Sequence, residues 1–460
     1  MKVLWSRTPR AVFNAAVLLV TLSSSSLKSQ QPNDVSKEQA HPIPTWARDG
    51  VIYELNTRNF SATGDFKGVT ARLGELQKLG VTIIWLMPIH PIGQQMKKGT
   101  IGSPYAVRDY YGINPDFGTK DDLTRLISEA HKLGMKVIID VVVNHTSWDS
   151  KLMSTPSYYK RDAAGKVLSP YDWTDVAALD YENPALRKYI TDNLVWWVKD
   201  VGLDGFRCDV AWNIPRSFWD DTRAKLEAVK SDVFMLAEAH TPELLVKAFD
   251  ADYAWPLYHA TASVIQEGRS ATMIREEWEK ERDTYPRGAT HMRISDDHDE
   301  KRAIARFGER GALAASALVF LMDGIPLLYN GMEVGDVTES TDPALFEKMP
   351  VFWSIGRRRP EFAKFYAGII PLRREHAVLR TGELRWIGNS DDARVVTFVR
   401  RDASEELLVA INFSNRPFAG TVEASGNFTE ITPGGDAMRS VGLPALSLDA
   451  WGYRVFKRSR

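Results

Sequence analysis

The chain has 460 residues, enough for two or three domains at the usual size of roughly 100–200 residues each. Its 58 Lys and Arg nearly cancel its 59 Asp and Glu, which argues against a nucleic-acid-binding protein, since such proteins carry a basic excess. A hydrophobic fraction of 44% excludes wholesale disorder. The single cysteine, Cys208, excludes an intramolecular disulfide and a cysteine-rich metal site.

The N-terminal residues 1–29 have the pattern of a secretory signal peptide. Basic residues in the first ten positions precede an apolar stretch over residues 11–22, and a small, polar stretch follows it. The apolar stretch is shorter than the about 20 residues that a transmembrane helix needs. We therefore expect a cleaved signal, a polar linker over residues 30–44, a secreted or periplasmic protein, and no stable membrane insertion after cleavage.

A helix, a glycine and a buried strand follow one another repeatedly along the chain. Leu73 and Leu76 lie on one predicted helical face, and Gly80 ends that helix before an apolar strand. The same pattern recurs at Gly134 and at Gly202. A glycine after the last helical turn supplies a left-handed C-cap, and a continuous apolar run indicates a strand covered on both faces.

Eight segments have this buried-strand pattern. They are Val51–Leu55, Val81–Met87, Val137–Val143, Gly205–Val210, Val233–Ala237, Ala251–Trp255, His291–Ser295 and Ile325–Tyr329. Alternation of such strands with helices predicts parallel βαβ units, and eight units fit a (β/α)8 barrel better than an open sheet.

The pattern also predicts the domain organisation. We assign residues 45–145 and 179–375 to the barrel, and the polar segment 146–178 to a small domain inserted after the third strand. Residues 376–460 contain short strands separated by turn residues, which predicts a C-terminal antiparallel β-domain.

Polar residues cluster at the C-terminal ends of the barrel strands, where barrel enzymes place their chemistry. Asp140, Asn144 and His145 lie in and after strand three, Arg207 and Asp209 end strand four, Glu238 and His240 end strand five, and Asp297, His298 and Asp299 end strand seven.

Two of these acids suit different catalytic roles. Arg207 and Asp209 share a strand face, and a guanidinium lowers the pKa of a neighbouring carboxyl, so we expect Asp209 to be ionised, as a nucleophile must be. Glu238 follows an apolar stretch that would raise its pKa towards that of a proton donor. Retaining glycosidases use such a pair at a separation of about 5–5.5 Å.

Neighbouring residues have structural interpretations instead. A single Asp at a strand end more often caps a loop or pairs with a cation than takes part in catalysis. We interpret Asp140 as a buried partner of Arg207, and Cys208, which alternates to the opposite strand face, as a core residue. The combination of acids with His145 and His298 is what favours an active site.

Short motifs then follow one another along almost the whole chain after the signal. They are Ser103–Tyr111, Asn114–Gly118, Asp140–His145, Leu179-Asp180, Gly205–Asp209, Glu238, His298-Asp299 and Gly324–Gly331. Together they resemble the motifs of the α-amylase family of glycoside hydrolases. The resemblance implies a (β/α)8 TIM barrel, with a domain B inserted after strand three and a C-terminal antiparallel β-sandwich.

The resemblance also implies a retaining double displacement at α-1,4-glucosidic bonds of starch-like α-glucans or maltodextrins. Asp209 would attack the anomeric carbon, Glu238 would protonate the leaving oxygen and then activate water, and Asp299 would stabilise the transition state. Tyr105 would stack on the sugar ring, while His145, Arg207 and His298 would bind its hydroxyls or hold the nucleophile.

The resemblance implies no cofactor for the chemistry, but Asn144 and Asp180 match positions that bind a structural Ca²⁺ in many members. Other positions depart from the family. Its second motif often continues with Lys-His, where this chain has Trp212-Asn213, so Trp212 would either stack on the substrate or pack in the core. Asp297 stands where Asn is usual and adds an acid near the site.

Alternative functions remain open. A transglycosylase of the same family would use all the same catalytic residues and transfer α-glucosyl or maltosyl units to a sugar acceptor. A non-catalytic glycan-binding relative is disfavoured because all three acids are present. A metal-dependent hydrolase using His145, His240 and His298 is disfavoured because no His-x-His pair ends a strand. Endo or exo action, linkage preference and oligomeric state are not specified by the motifs.

Overall fold

A computed structural model of the chain describes residues 34–434 and 440–458. The predicted signal peptide lies outside these residues. Residues 34–44, the described part of the segment predicted as a linker, lie along the barrel. Val35 is buried, and the Ala40 amide donates to the Arg287 carbonyl at 2.9 Å. Within the described ranges, no helix is both long enough and apolar enough to cross a membrane.

Eight parallel strands close into a barrel in which each strand pairs with the next and the last pairs with the first. They are β1 Ile52–Leu55, β2 Ile83–Leu86, β3 Lys136–Val141, β4 Gly205–Cys208, β5 Phe234–Ala237, β6 Ala251–Tyr253, β7 His291–Arg293 and β8 Ile325–Tyr329. Each of the eight predicted strands is confirmed, although several are shorter than expected. The (β/α)8 prediction is therefore confirmed.

Helices surround the barrel and connect its strands. The α-helices are Thr45–Arg48, Thr57–Phe60, Phe66–Leu79, Lys120–Lys132, Pro184–Trp196, Arg216–Glu227, Trp255–Glu267, Thr272–Thr284, Ala303–Leu321, Asp342–Phe346, Pro360–Glu375 and Val378–Thr381. A π-helical turn, Trp197–Val201, extends one of them, and 3₁₀ turns span Lys151–Ser154, Pro156–Tyr158, Ala211–Asn213, Pro242–Leu245, Met332–Val334 and Trp353–Arg357.

The sequence signals for helix ends act as expected. Gly80, which follows the helix Phe66–Leu79, has a left-handed φ of 102°, and its amide donates to carbonyls of the last turn. Asn183 accepts backbone hydrogen bonds as the N-cap of the helix that begins with Pro184. These ends fix where the chain turns back towards each strand.

Alternation within the strands separates an apolar barrel floor from a polar upper layer. Ile52, Ile138 and Phe234 belong to the cluster that fills the barrel interior. Because residues two apart point to the same side, Glu54 follows Ile52 inside the barrel and Asp140 follows Ile138. The interior therefore changes from apolar to charged near the C-terminal strand ends.

The inserted segment contains a small antiparallel pair of strands, His145–Ser147 with Val176–Ala178, in which His145 is opposite Ala178. The pair begins four residues after β3 ends. It therefore fixes the base of the insertion next to the C-terminal edge of the barrel.

The C-terminal region forms one antiparallel sheet, which confirms the predicted β-domain. Its strands are Glu383–Trp386, Val395–Arg401, Glu406–Asn412, Phe418–Glu430, Ser440–Leu448 and Tyr453–Arg458. The sheet folds over an apolar core of its own that includes Leu408, Phe418 and Leu446. Its other face packs on the barrel helices, where Arg400 donates to the carbonyls of Leu321 and Leu379.

Candidate active site

The C-terminal strand ends surround a cleft of about 680 Å³. Five of the predicted site residues line it: Tyr105, His145, Asp209, Glu238 and Asp299. Two others, Arg207 and His298, are fully buried beneath these side chains. The structure therefore brings together all the residues predicted for catalysis and substrate binding.

Arg207 lies at the centre of the acidic residues. Its Nη1 donates to Asp140 Oδ1 at 2.9 Å and to Asp209 Oδ1 at 3.1 Å. Its Nη2 is 3.0 Å from Glu238 Oε2, in an ion pair without hydrogen-bond alignment. Its Nε donates to the Tyr253 hydroxyl at 3.1 Å. The prediction that Asp140 is a buried partner of Arg207 is confirmed, and Cys208 is buried in the core.

Burial dominates the titration of the two predicted catalytic acids. It raises the pKa of Asp209 well above its ordinary value, the charge of Glu238 raises it further, and Arg207 opposes both. Burial also raises the pKa of Glu238, against the effect of Arg207. Arg207 lowers the pKa of Asp209 as predicted, but burial and the charge of Glu238 outweigh it, so the net shift is upward.

The backbone after Asp209 positions Glu238. Val210 has a φ of 46°, a left-handed conformation that is rare for a β-branched residue. Its amide donates to Glu238 Oε2 at 2.7 Å. Backbone strain of this kind persists where the surrounding structure holds the residue in place. Here Val210 connects the two acids, because it directly follows Asp209 and its amide binds Glu238.

A second buried chain of polar contacts runs from Tyr105 through His298 to Glu54. The Tyr105 hydroxyl lies 2.9 Å from Asp140 Oδ2 and 2.7 Å from His298 Nε2. His298 Nδ1 lies 2.5 Å from Glu54 Oε1, and its Nε2 lies 3.2 Å from Asp299 Oδ2. Burial alone would lower the pKa of His298, but the charges of Asp299 and Glu54 raise it to about 10. His298 is therefore a cation at neutral pH.

Glu54 is a member of the site that the sequence analysis missed. It lies in β1, is fully buried, and keeps His298 charged and oriented. One signal could have identified it, because Glu54 is an acid inside the apolar segment Ile52–Leu55. A charged residue is rarely buried in a strand without a specific partner.

Asp299 is the most exposed of the three predicted catalytic acids, with 38% of its side chain exposed. Asp297 lies behind it, where its Oδ1 accepts hydrogen bonds from the amides of Asp299 and Glu300 at 3.1 and 3.0 Å. The extra acid noted at position 297 therefore shapes the loop that presents Asp299.

The histidines of the site do not share one environment. Burial lowers the pKa of His145 to about 4, so this residue is neutral, and its ring lies edge-on to Trp173. His240 Nδ1 is 3.0 Å from the Tyr285 hydroxyl, whereas His298 is held between carboxylates. Among residues 34–434 and 440–458, no group of three or more His, Cys, Asp or Glu is arranged to hold a metal ion.

The two residues expected to bind calcium are engaged by other protein groups. Asn144 Oδ1 accepts a hydrogen bond from Asn213 Nδ2 at 2.9 Å. Asp180 Oδ1 accepts one from the Glu182 amide at 3.1 Å. Ca²⁺ needs six to eight oxygen ligands, and these side chains do not form such a cage as they stand. Calcium binding therefore stays a prediction, and no step of the chemistry depends on it.

Two aromatic side chains that line the cleft, Trp212 and Trp173, both contact the ring of Tyr171, and we call these three side chains the aromatic rim. Trp212 and Tyr171 are 52% and 56% exposed, and their ring centres are 6.1 Å apart. The ring centres of Trp173 and Tyr171 are 5.0 Å apart. Of the two interpretations of Trp212, packing in the core is wrong, because the side chain is exposed and lines the cleft.

Paired acids at the ends of adjacent barrel strands, over a cleft with aromatic walls, define the site of a glycoside hydrolase. The family model for the alpha-amylase catalytic domain matches residues 48–174 and 169–367. The chain belongs to the α-amylase family.

Relatives and solved structures agree with this assignment. Alpha-amylase MalA of Haloarcula japonica is 27% identical over 442 residues, covering 90% of this chain and 64% of that protein, so the chain spans less than two thirds of this relative. A cyclomaltodextrinase from Bacillus sp. is 27% identical over 419 residues, covering 80% and 73%. The noncanonic maltogenic alpha-amylase AmyB from Thermotoga neapolitana superposes with a TM-score of 0.84 at 28% identity, covering 90% of this chain and all of that one. The Geobacillus thermoleovorans alpha-amylase complexed with acarbose has a TM-score of 0.75 at 26% identity, covering 91% and 100%.

Proposed function

We propose that the protein hydrolyses α-1,4-glucosidic bonds of starch-like α-glucans or maltodextrins with retention of anomeric configuration. One observation carries the proposal. Asp209 lines the cleft together with Glu238 from the adjacent strand, and Arg207 Nη1 donates to Asp209 Oδ1 at 3.1 Å. A carboxylate that borders the cleft and is held by a cation is suited to attack an anomeric carbon.

In the first half-reaction, the carboxylate of Asp209 forms a bond to the anomeric carbon as the bond from that carbon to the glycosidic oxygen breaks. Glu238 donates its proton to the departing oxygen, which leaves as the hydroxyl of the released sugar. The proton of this pair is assigned to Glu238, because the hydrogen bond from Arg207 Nη1 favours the anion at Asp209, whereas Arg207 makes no aligned hydrogen bond to Glu238.

In the second half-reaction, the carboxylate of Glu238 takes a proton from water while the water oxygen attacks the anomeric carbon. The ester bond to Asp209 breaks, and both acids return to their starting states. Two inversions at one carbon retain its configuration. The amide of Val210, bonded to Glu238 Oε2, holds this carboxyl in place through both steps.

The charged end of the cleft suits the sugar ring that is attacked. The Asp299 carboxylate lines the cleft and offers an acceptor for ring hydroxyls, while the buried His298 cation beneath it contacts Asp299 Oδ2 at 3.2 Å. Tyr105, held by its hydroxyl to Asp140 and His298, presents an aromatic face to the same space. Asp299, whose Oδ2 lies 3.2 Å from His298 Nε2, borders the cleft where it can stabilise a positively charged transition state.

The exposed aromatic rim favours transglycosylation as a second candidate. Trp212 and Tyr171 offer surfaces on which a sugar other than the attacked ring could stack. If that sugar is bound when the glycosyl-enzyme forms, its hydroxyl replaces water as the acceptor. We propose export to the periplasm or the medium for either activity, on the basis of the N-terminal sequence alone.

The product profile on soluble starch and maltoheptaose tests the proposal, with Asp209→Asn as the inactive control and anomeric configuration followed by NMR. Shorter oligosaccharides formed initially as α-anomers, by the wild type alone, would support it. Products longer than the substrate would indicate transglycosylation. Initial β-anomers would contradict retention, and unchanged glucans would contradict the proposed activity.

A further inference from the structure

Glu54 is buried in the barrel interior and does not line the cleft. Its backbone is fixed in β1, where its carbonyl accepts a hydrogen bond from the Asn330 amide at 2.9 Å. Its Oε1 contacts His298 Nδ1, and its Oε2 has no hydrogen-bond partner among residues 34–434 and 440–458. Within the described chain, the Glu54 carboxylate therefore bonds to His298 alone.

Two aromatic rings hold the plane of the His298 ring. The Tyr105 ring stacks on it, with centres 5.6 Å apart and an interplanar angle of 12°. The Trp85 ring meets it edge-on, at 6.0 Å and 87°. Half a turn of the imidazole about its bond to Cβ would keep this plane and exchange ring nitrogens with ring carbons. The contact of Nδ1 with Glu54 selects one of these two orientations.

The hydrogen-bond directions place a proton on each ring nitrogen of His298. A carboxylate only accepts, so Nδ1 donates to Glu54. The Tyr105 hydroxyl gives its proton to Asp140 Oδ2 at 2.9 Å, so it accepts from His298 Nε2 at 2.7 Å. Asp299 Oδ2 lies 3.2 Å from the same nitrogen. One N–H group therefore faces both Tyr105 and Asp299.

We propose that Glu54 is a positioning residue of the reaction, which acts through His298 on Tyr105 and Asp299. The inference rests on the proposed function and adds to it a residue that does not touch the substrate. Tyr105 and Asp299 both line the cleft, so a His298 ring turned away from Glu54 would release both of them at once. Groups that must fit the transition state lose much of their effect when they are no longer held in place.

Two substitutions of Glu54 test this role. Glu54→Met removes the acceptor and keeps most of the side-chain volume, so kcat/KM for maltoheptaose at pH 6 should fall about tenfold or more. Glu54→Gln keeps an acceptor for the Nδ1–H group and should recover most of this loss. Glu281→Met is the matched control, since it removes a buried acid that accepts from Arg293 at 2.7 Å outside the cleft. It should destabilise the protein and leave kcat/KM unchanged.

A double-mutant cycle shows whether Glu54 acts through His298. In the His298→Gln background, Glu54→Met should lower kcat/KM by less than about twofold, because the contact that it would break is already absent. A residue that only stabilised the fold would cost the same in both backgrounds. Equal losses in both backgrounds, no loss in either, or a loss in Glu54→Gln as large as in Glu54→Met would overturn the proposal.

NMR of the full chain labelled with ¹⁵N-histidine tests the arrangement without turnover and without a Glu54 variant. His298→Gln identifies the signals of His298. We expect both of its ring nitrogens to be protonated in the wild type at pH 8, and a ring nitrogen without a proton would overturn the proposal. If the wild type cleaves no glucan although both nitrogens are protonated, the proposed function fails and the role of Glu54 in it fails too, while the hydrogen-bond scheme stands.

Discussion

Arg207 Nη2 lies 3.0 Å from Glu238 Oε2, so the cation that holds the proposed nucleophile also contacts the proposed proton donor. The pair is largely buried, since the side chain of Arg207 is not exposed and that of Glu238 is 19% exposed. With one guanidinium among several carboxyls, a proton on one acid lowers the cost of ionising another. The two acids therefore titrate as a unit.

Replacing Asp209 by Asn removes the nucleophile and keeps the shape of the side chain. We expect turnover of maltoheptaose to fall on the order of 10⁴-fold or more, because no covalent intermediate can form. Folding and glucan binding should persist, which the melting temperature and isothermal titration with maltoheptaose would report. Substantial activity in a purified, correctly folded variant would exclude Asp209 as nucleophile.

Replacing Glu238 by Gln removes the proton donor but leaves Asp209 in place. Hydrolysis of maltoheptaose should fall about 10²–10⁴-fold, the usual contribution of general acid catalysis. The rate of the first step with glucosyl fluoride as substrate should fall far less, because fluoride leaves without protonation. Added azide should then yield α-glucosyl azide. An equal loss on both substrates, without azide product, would assign the donor role to another residue.

His298 should make stability depend on pH in the alkaline range. Its pKa of about 10 in the folded protein exceeds its ordinary value of about 6.5, so the folded state binds the extra proton between these limits. The stabilisation of the folded protein by protonated His298 is fully present below about pH 6.5 and is lost as the pH rises through 10.

Urea unfolding at pH 6, 8 and 10 measures this effect. As the pH rises over this range, the free energy of unfolding of the wild type should fall by up to about 1.4 kcal/mol per pH unit more than that of His298→Gln does. Parallel curves for the two proteins would show that His298 does not hold the proton and that the Glu54 contact is not an ion pair.

Replacing Arg207 by Met leaves Asp140, Asp209 and Glu238 without their common cation. We expect the free energy of unfolding to fall by about 3–5 kcal/mol at neutral pH, as when one partner of a buried ion pair is removed. Lowering the pH should restore part of it, because protonation removes the uncompensated charge. Arg216→Met breaks the half-exposed contact with Asp220 and should cost less than about 1 kcal/mol. Similar losses in both variants would contradict the central role of Arg207.

Much of the fold follows from local signals in the sequence. Gly80 and Gly134 adopt the left-handed conformation that a helix end needs, and a buried strand follows each. Residues at strand ends in a barrel must converge, which is why Asp209, Glu238 and Asp299 were predicted to share a site.

Contacts between distant segments could not be predicted in this way. The raised pKa of Asp209 depends on its burial and on the nearness of Glu238, both of which are set by packing across β4 and β5. The contact of His298 with Glu54 joins residues 244 positions apart. The pairing of Lys98 with Asp175 likewise depends on two loops whose paths no periodic pattern specifies.

Trapping of the covalent intermediate tests the central role of Asp209 most directly. The protein would be incubated with 5-fluoro-α-glucosyl fluoride, which forms the glycosyl-enzyme readily but slows its hydrolysis, and the labelled peptide would be identified by mass spectrometry. We predict one added fluoroglucosyl group per chain, attached to Asp209 and absent from Asp209→Asn. A label on another residue, or none on an enzyme that still turns over maltoheptaose, would contradict the double displacement.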